Sequence, residues 1–328
     1  MSAPLLQIKQ LTKHFPLKGG ATVRAVDDVS FNVFEGETLG IVGESGCGKS
    51  TTARLLMHLI NPTAGEVIFE DRVVGGRDLS LRDFRRRVQM VFQDSYSSLN
   101  PRMTIEDSVA FAPQVHGTQK REAVARAHDL LSRVGLDPAR FAGRYPHELS
   151  GGQRQRVNIA RALALEPRII ILDEAVSALD KSVEAQVLNL LTDLKEQFKL
   201  TYVFISHDLN VVRYISDRVM VMYLGQVVEL GNTADLYDAA KHPYTKALLA
   251  SMPAMDPDQR TEAPPLSGDP PNPINPPSGC RFHPRCGHAA PVCATVAPTL
   301  TEGTHRVSCL MFEPLNAHPG VRHESATV

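Results

Sequence analysis

The sequence lacks long apolar runs. No stretch approaches the ~20 consecutive apolar residues that a helix needs to span a bilayer, and the aliphatic runs are short, such as the one at 169–172. The first ten residues, MSAPLLQIKQ, contain no basic region followed by an apolar core, which argues against a signal peptide. We therefore expect a protein that is made and kept in the cytosol, so that any membrane role must come through a partner.

The sequence also has almost no net charge. Its 35 Lys and Arg residues nearly balance its 36 Asp and Glu residues, which leaves a formal charge of −1. Such a balance argues against a bulk polyanion, such as nucleic acid, as the partner. With 328 residues, of which 43% are hydrophobic, the chain is long enough for two ordinary domains or for one large domain with an appendage.

Strand and helix patterns alternate over most of the chain. The short apolar segments TLGIV, RIIIL and TYVFIS are typical of buried strands, and the alternation with helical patterns predicts an α/β fold with a largely parallel sheet. A helical block at about 94–160 interrupts the alternation and indicates an inserted subdomain. Residues 253–278 contain nine prolines, so we predict a body at 1–250 and a proline-rich extension at 251–328.

A glycine-rich segment lies between the first buried strand and a helical pattern. It fits the phosphate-loop pattern GxxxxGK[ST] and consists of Gly43, Glu44, Ser45, Gly46, Cys47, Gly48, Lys49, Ser50 and Thr51. Glycines permit backbone torsions that direct N–H groups at phosphate oxygens, and the helix N-terminus adds partial positive charge. We predict that Lys49 reaches the β- and γ-phosphates and that Ser50 offers its hydroxyl to Mg²⁺. Cys47 is interpreted as a small filler.

Two carboxylates follow the aliphatic strand at 169–172. In parallel α/β sheets, ligands bind at the carboxyl ends of the strands, and Asp173 and Glu174 stand at such an end. Asp173 is predicted to hold Mg²⁺ through water, and Glu174 to polarise the water that attacks the phosphate. Acidic residues also cap helices, but the upstream phosphate loop favours the catalytic interpretation.

A second anion site is predicted at the start of another helical pattern. The sequence LSGGQ places Ser150, Gly151, Gly152 and Gln153 directly before that pattern, and a serine with two glycines at a helix N-terminus can bind an anion. The simplest arrangement that uses both phosphate-binding ends is a dimer. In it, the second site of each chain closes the phosphate loop of the other.

Together these motifs resemble the nucleotide-binding subunit of an ABC transporter, over roughly residues 5–250, with LSGGQ as the signature sequence of that family. The resemblance implies a P-loop NTPase fold with a RecA-like core, an antiparallel β subdomain and an inserted α-helical subdomain, here with a Pro/Cys-rich C-terminal extension. It implies an ATPase that converts ATP and water to ADP and phosphate. Residues 150–153 of one chain would contact the ATP bound by the other.

The resemblance assigns roles to further residues. Phe15 would stack on adenine, although the family more often has tyrosine there. Gln93 would contact Mg²⁺ and the attacking water. Asp180, in the segment SALD, would lie at the dimer seam, and His207 would contact the γ-phosphate and organise the catalytic glutamate. The family usually has proline after that glutamate, whereas this chain has Ala175; we expect activity to survive the difference.

Four segments narrow the resemblance to one branch of importers. They are DSYSSLNPR at 94–102, RYPHELSGGQRQR at 144–156, HPYT at 242–245 and CRFHPRC at 280–286. They resemble the oligopeptide/dipeptide importers, a branch that includes nickel systems. The implied partners are a second ATPase subunit, identical or paralogous, two transmembrane permease subunits and an external solute-binding protein. This chain would lie on the cytoplasmic face of the membrane, with peptides as the expected cargo and nickel or another small solute as the alternative.

Four of the five cysteines lie close together in the extension, namely Cys280, Cys286, Cys293 and Cys309. In a reducing cytosol such a cluster favours a metal over disulfides. Four thiolates can hold Zn²⁺ or a [4Fe–4S] cluster. The wide, irregular spacing without a CxxC pair favours the [4Fe–4S] cluster, which some members of the resembling branch carry in this tail. Zinc and uncommitted thiols stay as alternatives.

A soluble ABC ATPase that acts on nucleic acid or ribosomes is the main functional alternative. Such proteins commonly carry two cassettes in one chain and a basic linker, whereas this chain has one cassette and a charge of −1. A regulatory protein with a degenerate ATP site is a third possibility. The intact Lys49, Asp173, Glu174 and His207 argue against it.

Overall fold

The computed structural model describes residues 3–252, 268–313 and 318–320. The chain folds into two compact units, each assembled from separate stretches of the sequence. Unit 1 consists of residues 1–6, 33–38 and 68–206, and unit 2 consists of residues 7–32, 39–67 and the chain from 207 onward. Most of the predicted proline-rich segment, residues 253–267, lies outside the described residues.

The described chain contains both strands and helices, with α3 to α6 following one another between β6 and β7. The strands are β1 Leu6–Pro16, β2 Thr22–Val33, β3 Thr38–Val42, β4 Ala64–Phe69, β5 Arg72–Val73, β6 Val88–Val91, β7 Ile169–Asp173, β8 Thr201–Ile205, β9 Arg218–Tyr223, β10 Gln226–Asn232 and β11 Arg306–Val307. The helices are α1 Lys49–Leu56, α2 Leu81–Arg87, α3 Ile105–Val115, α4 Lys120–Arg133, α5 Pro138–Phe141, α6 Gly151–Leu163, α7 Lys181–Phe198, α8 Leu209–Ile215, α9 Thr233–Asp238 and α10 Pro243–Ala250. None of these helices is both long and apolar enough to cross a membrane, as far as the described residues go.

Unit 2 is built around the strand that leads into the phosphate loop. This strand, β3, is buried along its whole length and pairs in parallel with β9. Strand β10 pairs antiparallel with β9. The short strand β11 of the C-terminal extension pairs antiparallel with β10, with Glu229 opposite Val307 and Leu230 opposite Arg306. The extension therefore continues the sheet of the phosphate-loop strand.

Unit 1 contains three parallel strands and a group of helices. Strand β7 pairs in parallel with β6 on one side and with β8 on the other. All residues of β7 and β8 are buried, as expected for parallel strands that are covered on both faces and are mostly apolar. Helices α3, α4 and α6 contact one another, and α6 also contacts β6 and α7. The first of these helices begins at Ile105, so residues 94–104 contain turns instead of the predicted helical pattern.

Side-chain caps fix where two of these helices begin. The Thr104 hydroxyl accepts the backbone N–H of Asp107 at the start of α3. Ser150 and Gln153 form a capping box at the start of α6, where each side chain accepts the backbone N–H of the other residue. Such boxes satisfy two amides that the first helical turn leaves without partners. The signature segment therefore also serves as the N-terminal cap of α6.

Candidate functional site

The phosphate loop joins β3 to α1 through backbone torsions that favour glycine. Gly43, Gly46 and Gly48 have φ angles of 147°, 79° and 109°, values that residues with a Cβ rarely adopt. A Cβ at Gly43 would overlap with the carbonyl oxygen of Met222, and one at Gly48 with that of Ala25. Glycine is therefore required at both positions, as the phosphate-loop interpretation expects.

Lys49 is held inside this loop. Its ammonium donates hydrogen bonds to the carbonyl oxygens of Gly43 at 2.7 Å and Glu44 at 3.0 Å, and the side chain is only 5% exposed. A buried cation thus lies at the loop where the phosphates are predicted to bind. The neighbouring Cys47 is also buried, and burial raises the pKa of its thiol, so a neutral filler is the role that fits it.

Two other predicted residues of unit 2 lie on exposed or half-exposed parts of the surface. Phe15 is half-buried on β1, and the ammonium of Lys13 lies 5.0 Å from its ring centroid. His207 is exposed two residues before the start of α8, where the carboxylate of Asp208 caps the helix by accepting the N–H groups of Asn210 and Val211. Their predicted contacts with adenine and with the γ-phosphate stay predictions.

Unit 1 brings two predicted catalytic residues together. The side-chain amide of Gln93 donates a hydrogen bond of 2.6 Å to Oε2 of Glu174. Glu174 has a φ of 48°, and its N–H donates to the carbonyl of Ile205 at 3.0 Å. A left-handed conformation at a residue that is not glycine is uncommon and clusters at functional sites. Asp173, directly before it, is buried at the end of β7.

The signature segment is also in unit 1. Gly152 packs so close to α7 that a Cβ there would overlap with the Val183 side chain. Asp180 stands directly before α7 as its N-terminal flanking residue. Both helices thus begin with residues that the resemblance places at the dimer seam. Contact with a nucleotide on a second chain stays a prediction for residues 150–153 and for Asp180.

Arg285 of the extension and Tyr244 of α10 contact the phosphate loop, and neither residue was assigned a role from the sequence. The guanidinium of Arg285 forms two hydrogen bonds with the carboxylate of Glu44, at 2.8 and 3.1 Å. The hydroxyl of Tyr244 accepts the backbone N–H of Glu44 at 2.9 Å. Both residues belong to segments, HPYT and CRFHPRC, that indicated only the branch of the family. A cavity of about 490 Å³ borders the same loop and is lined by residues 44–47, 223–224 and 270–273.

The four cysteines of the extension surround one small cavity. Cys280, Cys286, Cys293 and Cys309 line a space of about 20 Å³, and all four thiols are free. Burial raises the pKa of Cys280 to about 11 and that of Cys309 to about 12. Among the described residues, no group of three or more His, Cys, Asp or Glu side chains is arranged to hold a metal ion. The thiols are close together, but as placed they do not form a metal site.

Two protein-family models match the chain. The model described as ABC transporter matches residues 26–177, and the model described as oligopeptide/dipeptide transporter, C-terminal region, matches residues 228–293. The first match contains the phosphate loop, the signature segment and the acidic pair. The second contains most of β10, the HPYT segment, the CRFHPRC segment and three of the four clustered cysteines.

Curated relatives are similar over nearly the whole chain. The probable peptide ABC transporter ATP-binding protein y4tS of Sinorhizobium fredii is 53% identical over 308 residues, which are 92% of this chain and 87% of that protein. The oligopeptide transport ATP-binding protein AppF of Bacillus subtilis is 48% identical over 326 residues, which are 94% of this chain and 97% of that protein. The similarity therefore includes the extension as well as the body.

Solved structures of similar chains are ATP-binding cassettes. The cbiO1 protein of Clostridium perfringens, part of an ABC transporter complex, has a TM-score of 0.64 at 26% identity and covers 73% of this chain and 92% of its own. The cassette MJ0796, solved as a dimer after hydrolysis with ADP and phosphate bound, has a TM-score of 0.61 at 34% identity and covers 70% and 98%. These likenesses confirm the fold class that the sequence predicts.

Proposed function

The chain belongs to the family of ABC transporter ATP-binding proteins, and from that premise we propose that it hydrolyses ATP to drive the import of di- or oligopeptides. The family identification made from the sequence is confirmed by the relatives and the family models. Both of those relatives are named for peptide or oligopeptide transport. The match to the C-terminal region of oligopeptide/dipeptide transporters supports the same class of cargo.

The observation that carries the ATPase proposal is the contact between Gln93 and Glu174. A carboxylate that is to accept a proton from the attacking water must be held in a fixed orientation, because general-base catalysis depends first on geometry. The amide of Gln93 holds one carboxylate oxygen at 2.6 Å, and we assign the carboxylate so oriented to the attacking water. The backbone of Glu174 is held by the hydrogen bond to Ile205.

The remaining catalytic roles follow the chemistry of each side chain. The ammonium of Lys49, now bonded to loop carbonyls, is suited to exchange them for phosphate oxygens, which bind it more strongly. The hydroxyl of Ser50 and the carboxylate of Asp173 are oxygen ligands of the kind that Mg²⁺ takes, and bound Mg²⁺ would neutralise charge on the phosphates. His207 keeps the proposed contact with the γ-phosphate, and Phe15 the proposed stacking on adenine.

We further propose that the working unit contains two such subunits. The capped N-terminus of α6 offers backbone amides and the Ser150 hydroxyl to an anion, and we assign these groups, with Asp180, to ATP bound by the partner subunit. The dimeric cassette MJ0796 supports this arrangement by analogy. Two transmembrane permease subunits and an external solute-binding protein complete the proposed importer, with this chain at the cytoplasmic face of the membrane.

For the cysteine cluster we propose a [4Fe–4S] cluster as the group to test first. The support is that four free thiols line one cavity. Cys280, Cys286, Cys293 and Cys309 would be the residues to hold such a cluster. The thiols as placed do not fit a bound metal ion, so no step of the reaction is assigned to this group. Anaerobic purification with iron and sulfide assays and a visible spectrum tests it, and a colourless, iron-free protein contradicts it.

Purification from membranes and transport assays test the proposed function. The tagged chain, expressed in its native cell, is expected to co-purify with a polytopic membrane protein, and the complex in vesicles is expected to take up labelled di- or oligopeptides only with Mg-ATP. Recovery with ribosomes or DNA instead of a membrane protein would contradict the importer. Uptake of nickel without uptake of peptides would support the proposed importer but contradict peptides as its cargo.

A further inference from the structure

Two arginines of the segment CRFHPRC reach the surroundings of the phosphate loop. Arg285, in a short 3-10 turn at His283–Arg285, forms the two-pronged ion pair with Glu44 of the loop. Its side chain is only 6% exposed, and its Nη1 also donates to the hydroxyl of Tyr223 at 3.4 Å. Bidentate arginine–carboxylate pairs fix both distance and orientation. Arg285 therefore fixes the position of the Glu44 side chain.

The second arginine, Arg281, contacts strand β2, which leads to the neighbourhood of Phe15, the residue predicted to stack on adenine. The guanidinium of Arg281 donates to the carbonyl oxygen of Leu224 and to Oδ2 of Asp27. The other carboxylate oxygen of Asp27 lies 2.8 Å from Nε2 of His14, the residue before Phe15. Although burial opposes it, the hydrogen bonds from His14 and Arg281 hold the pKa of Asp27 below its usual range. The chain of contacts thus runs from the extension to β1.

Aromatic packing holds the segment between these two contacts. The ring of Phe282, between the two arginines in sequence, lies 5.3 Å from the ring of Tyr223 and 5.4 Å from that of Tyr244. Tyr244 in turn accepts the backbone N–H of Glu44. Edge-on aromatic contacts of this kind stabilise the packing beyond the burial of area. The packing of Phe282 therefore holds in place the segment that carries both arginines.

The charge of Glu44 makes this contact relevant to ATP. Glu44 occupies a variable position of the GxxxxGK[ST] pattern, so phosphate binding does not itself require a carboxylate there. A carboxylate left without its arginine would put a negative charge on the loop that must receive a triphosphate, and like charges repel. Paired with Arg285, the same carboxylate is neutralised and instead anchors the loop to the extension.

We propose that Arg285, supported by Arg281, is a positioning residue for the nucleotide site, through which the C-terminal extension sets the affinity of the phosphate loop for ATP. The inference rests on the proposed ATP site. The proposed role of Arg285 differs from a purely structural role in one respect. Removing Arg285 weakens ATP binding mainly because Glu44 becomes an unpaired anion. Removing the negative charge of Glu44 as well then restores the binding.

The experiment measures the Kd of a fluorescent ATP analogue with Mg²⁺ for the full-length protein and its variants. Arg285→Gln is expected to raise the Kd about tenfold, the size of one lost charge-assisted contact. The double variant Glu44→Gln/Arg285→Gln is expected to return to within about twofold of the wild type. Arg285→Lys, which keeps the charge, is expected to lie close to the wild type. Arg306→Gln is the matched control, because Arg306 lies on β11 and its Nε donates to the Thr301 carbonyl.

A wild-type Kd for Arg285→Gln, or a double variant that binds no better than the single one, overturns the proposal. If Arg285→Gln does not fold, the comparison of Arg285→Lys with the double variant decides: both must bind like the wild type. Failure of the wild-type protein itself to bind the analogue would contradict the proposed ATP site. Binding by the wild type with no effect of Arg285 would contradict this inference alone.

Discussion

The amide of Gln93 donates a hydrogen bond of 2.6 Å to the carboxylate of Glu174, across a sequence separation of 81 residues. The two side chains follow neighbouring parallel strands, β6 and β7, and the contact is made just beyond the carboxyl ends of those strands. Gln93 thus orients Glu174 through a neutral donor, which places no opposite charge beside the carboxylate. Gln93 also precedes the segment that leads into α3.

The first prediction concerns Gln93, the neutral donor to Glu174. Gln93→Ala removes the hydrogen bond that orients Glu174, and we expect kcat for ATP to fall about tenfold to a hundredfold because positioning of the base is lost. Gln93→Glu should be worse, because it places a second carboxylate against the first. Steady-state ATPase measurements on both variants check this, and KM for ATP should change little. Equal rates for Gln93→Ala and the wild type would refute the orienting role.

The second prediction concerns the residue after the catalytic glutamate. We expect Ala175→Pro to keep ATPase activity within about threefold of the wild type, because the hydrogen bonds of Glu174 with Gln93 and Ile205 do not use residue 175. Proline disfavours helical torsions at the residue before it, so the variant also tests whether the left-handed backbone of Glu174 matters. A loss of activity comparable to that of Gln93→Ala would show that the backbone torsion is essential.

The third prediction concerns two glycines of the phosphate loop. Gly48→Ala should abolish ATP binding, because its Cβ would overlap with the carbonyl of Ala25 and its φ is 109°. Gly46 has a φ of 79°, but a Cβ added there would lie in open space. Gly46→Ala should therefore cost only about 1–2 kcal/mol of backbone strain. The Kd for ATP measures the loss of binding in each variant, and thermal unfolding measures the loss of stability that backbone strain causes. Equal losses of ATP affinity would contradict the steric argument.

The fourth prediction concerns a buried carboxylate that joins the extension to β10. Glu229 is fully buried and accepts hydrogen bonds from the N–H groups of Lys241 at 2.6 Å and His242 at 3.0 Å, with Nε2 of His305 at 2.7 Å. Burial alone would raise the pKa of Glu229, but the contact with His305 and the backbone hydrogen bonds hold it below its usual value. Its contribution to stability is therefore present above the ordinary carboxyl pKa and is lost as pH falls below about 4.5.

His242 adds a pH dependence at higher pH. Burial lowers the pKa of His242 to about 4, so between about pH 6.5 and 4 the unfolded chain binds a proton that the folded chain does not. As the pH is lowered through this range, the free energy of unfolding should fall by about 1.4 kcal/mol per pH unit from this residue. His242→Asn keeps an acceptor for the Tyr244 N–H without the titration. Chemical denaturation at several pH values should show a flatter profile for the variant, and an unchanged slope would contradict the assignment.

Much of the site could be predicted because phosphate binding dictates its residue types. The spacing of the glycines and Lys49 indicates a phosphate-binding loop by itself, without knowledge of the surrounding structure. The aliphatic run before Asp173 indicates a buried strand that ends in a carboxylate. The contact between Gln93 and Glu174 depends on which strands are neighbours. Strand order is set by tertiary packing and leaves no local pattern.

The contribution of the extension could not be predicted for a related reason. Strand β11 has two residues, too few for an alternating pattern, and it exists because β10 offers an edge. The pair of Glu44 and Arg285 spans 241 residues, and neither residue type is unusual where it stands. Arginines in a proline-rich tail are ordinarily solvated, so only the packing of Phe282 distinguishes this one.

The measurement that tests the central claim most directly compares ATP binding with ATP turnover in two variants. Glu174→Gln should bind Mg-ATP with a Kd close to that of the wild type and lose at least about a hundredfold in kcat, because the base is gone and the loop is intact. Lys49→Ala should lose binding itself. A Glu174→Gln protein that hydrolyses ATP at nearly the wild-type rate would contradict the account.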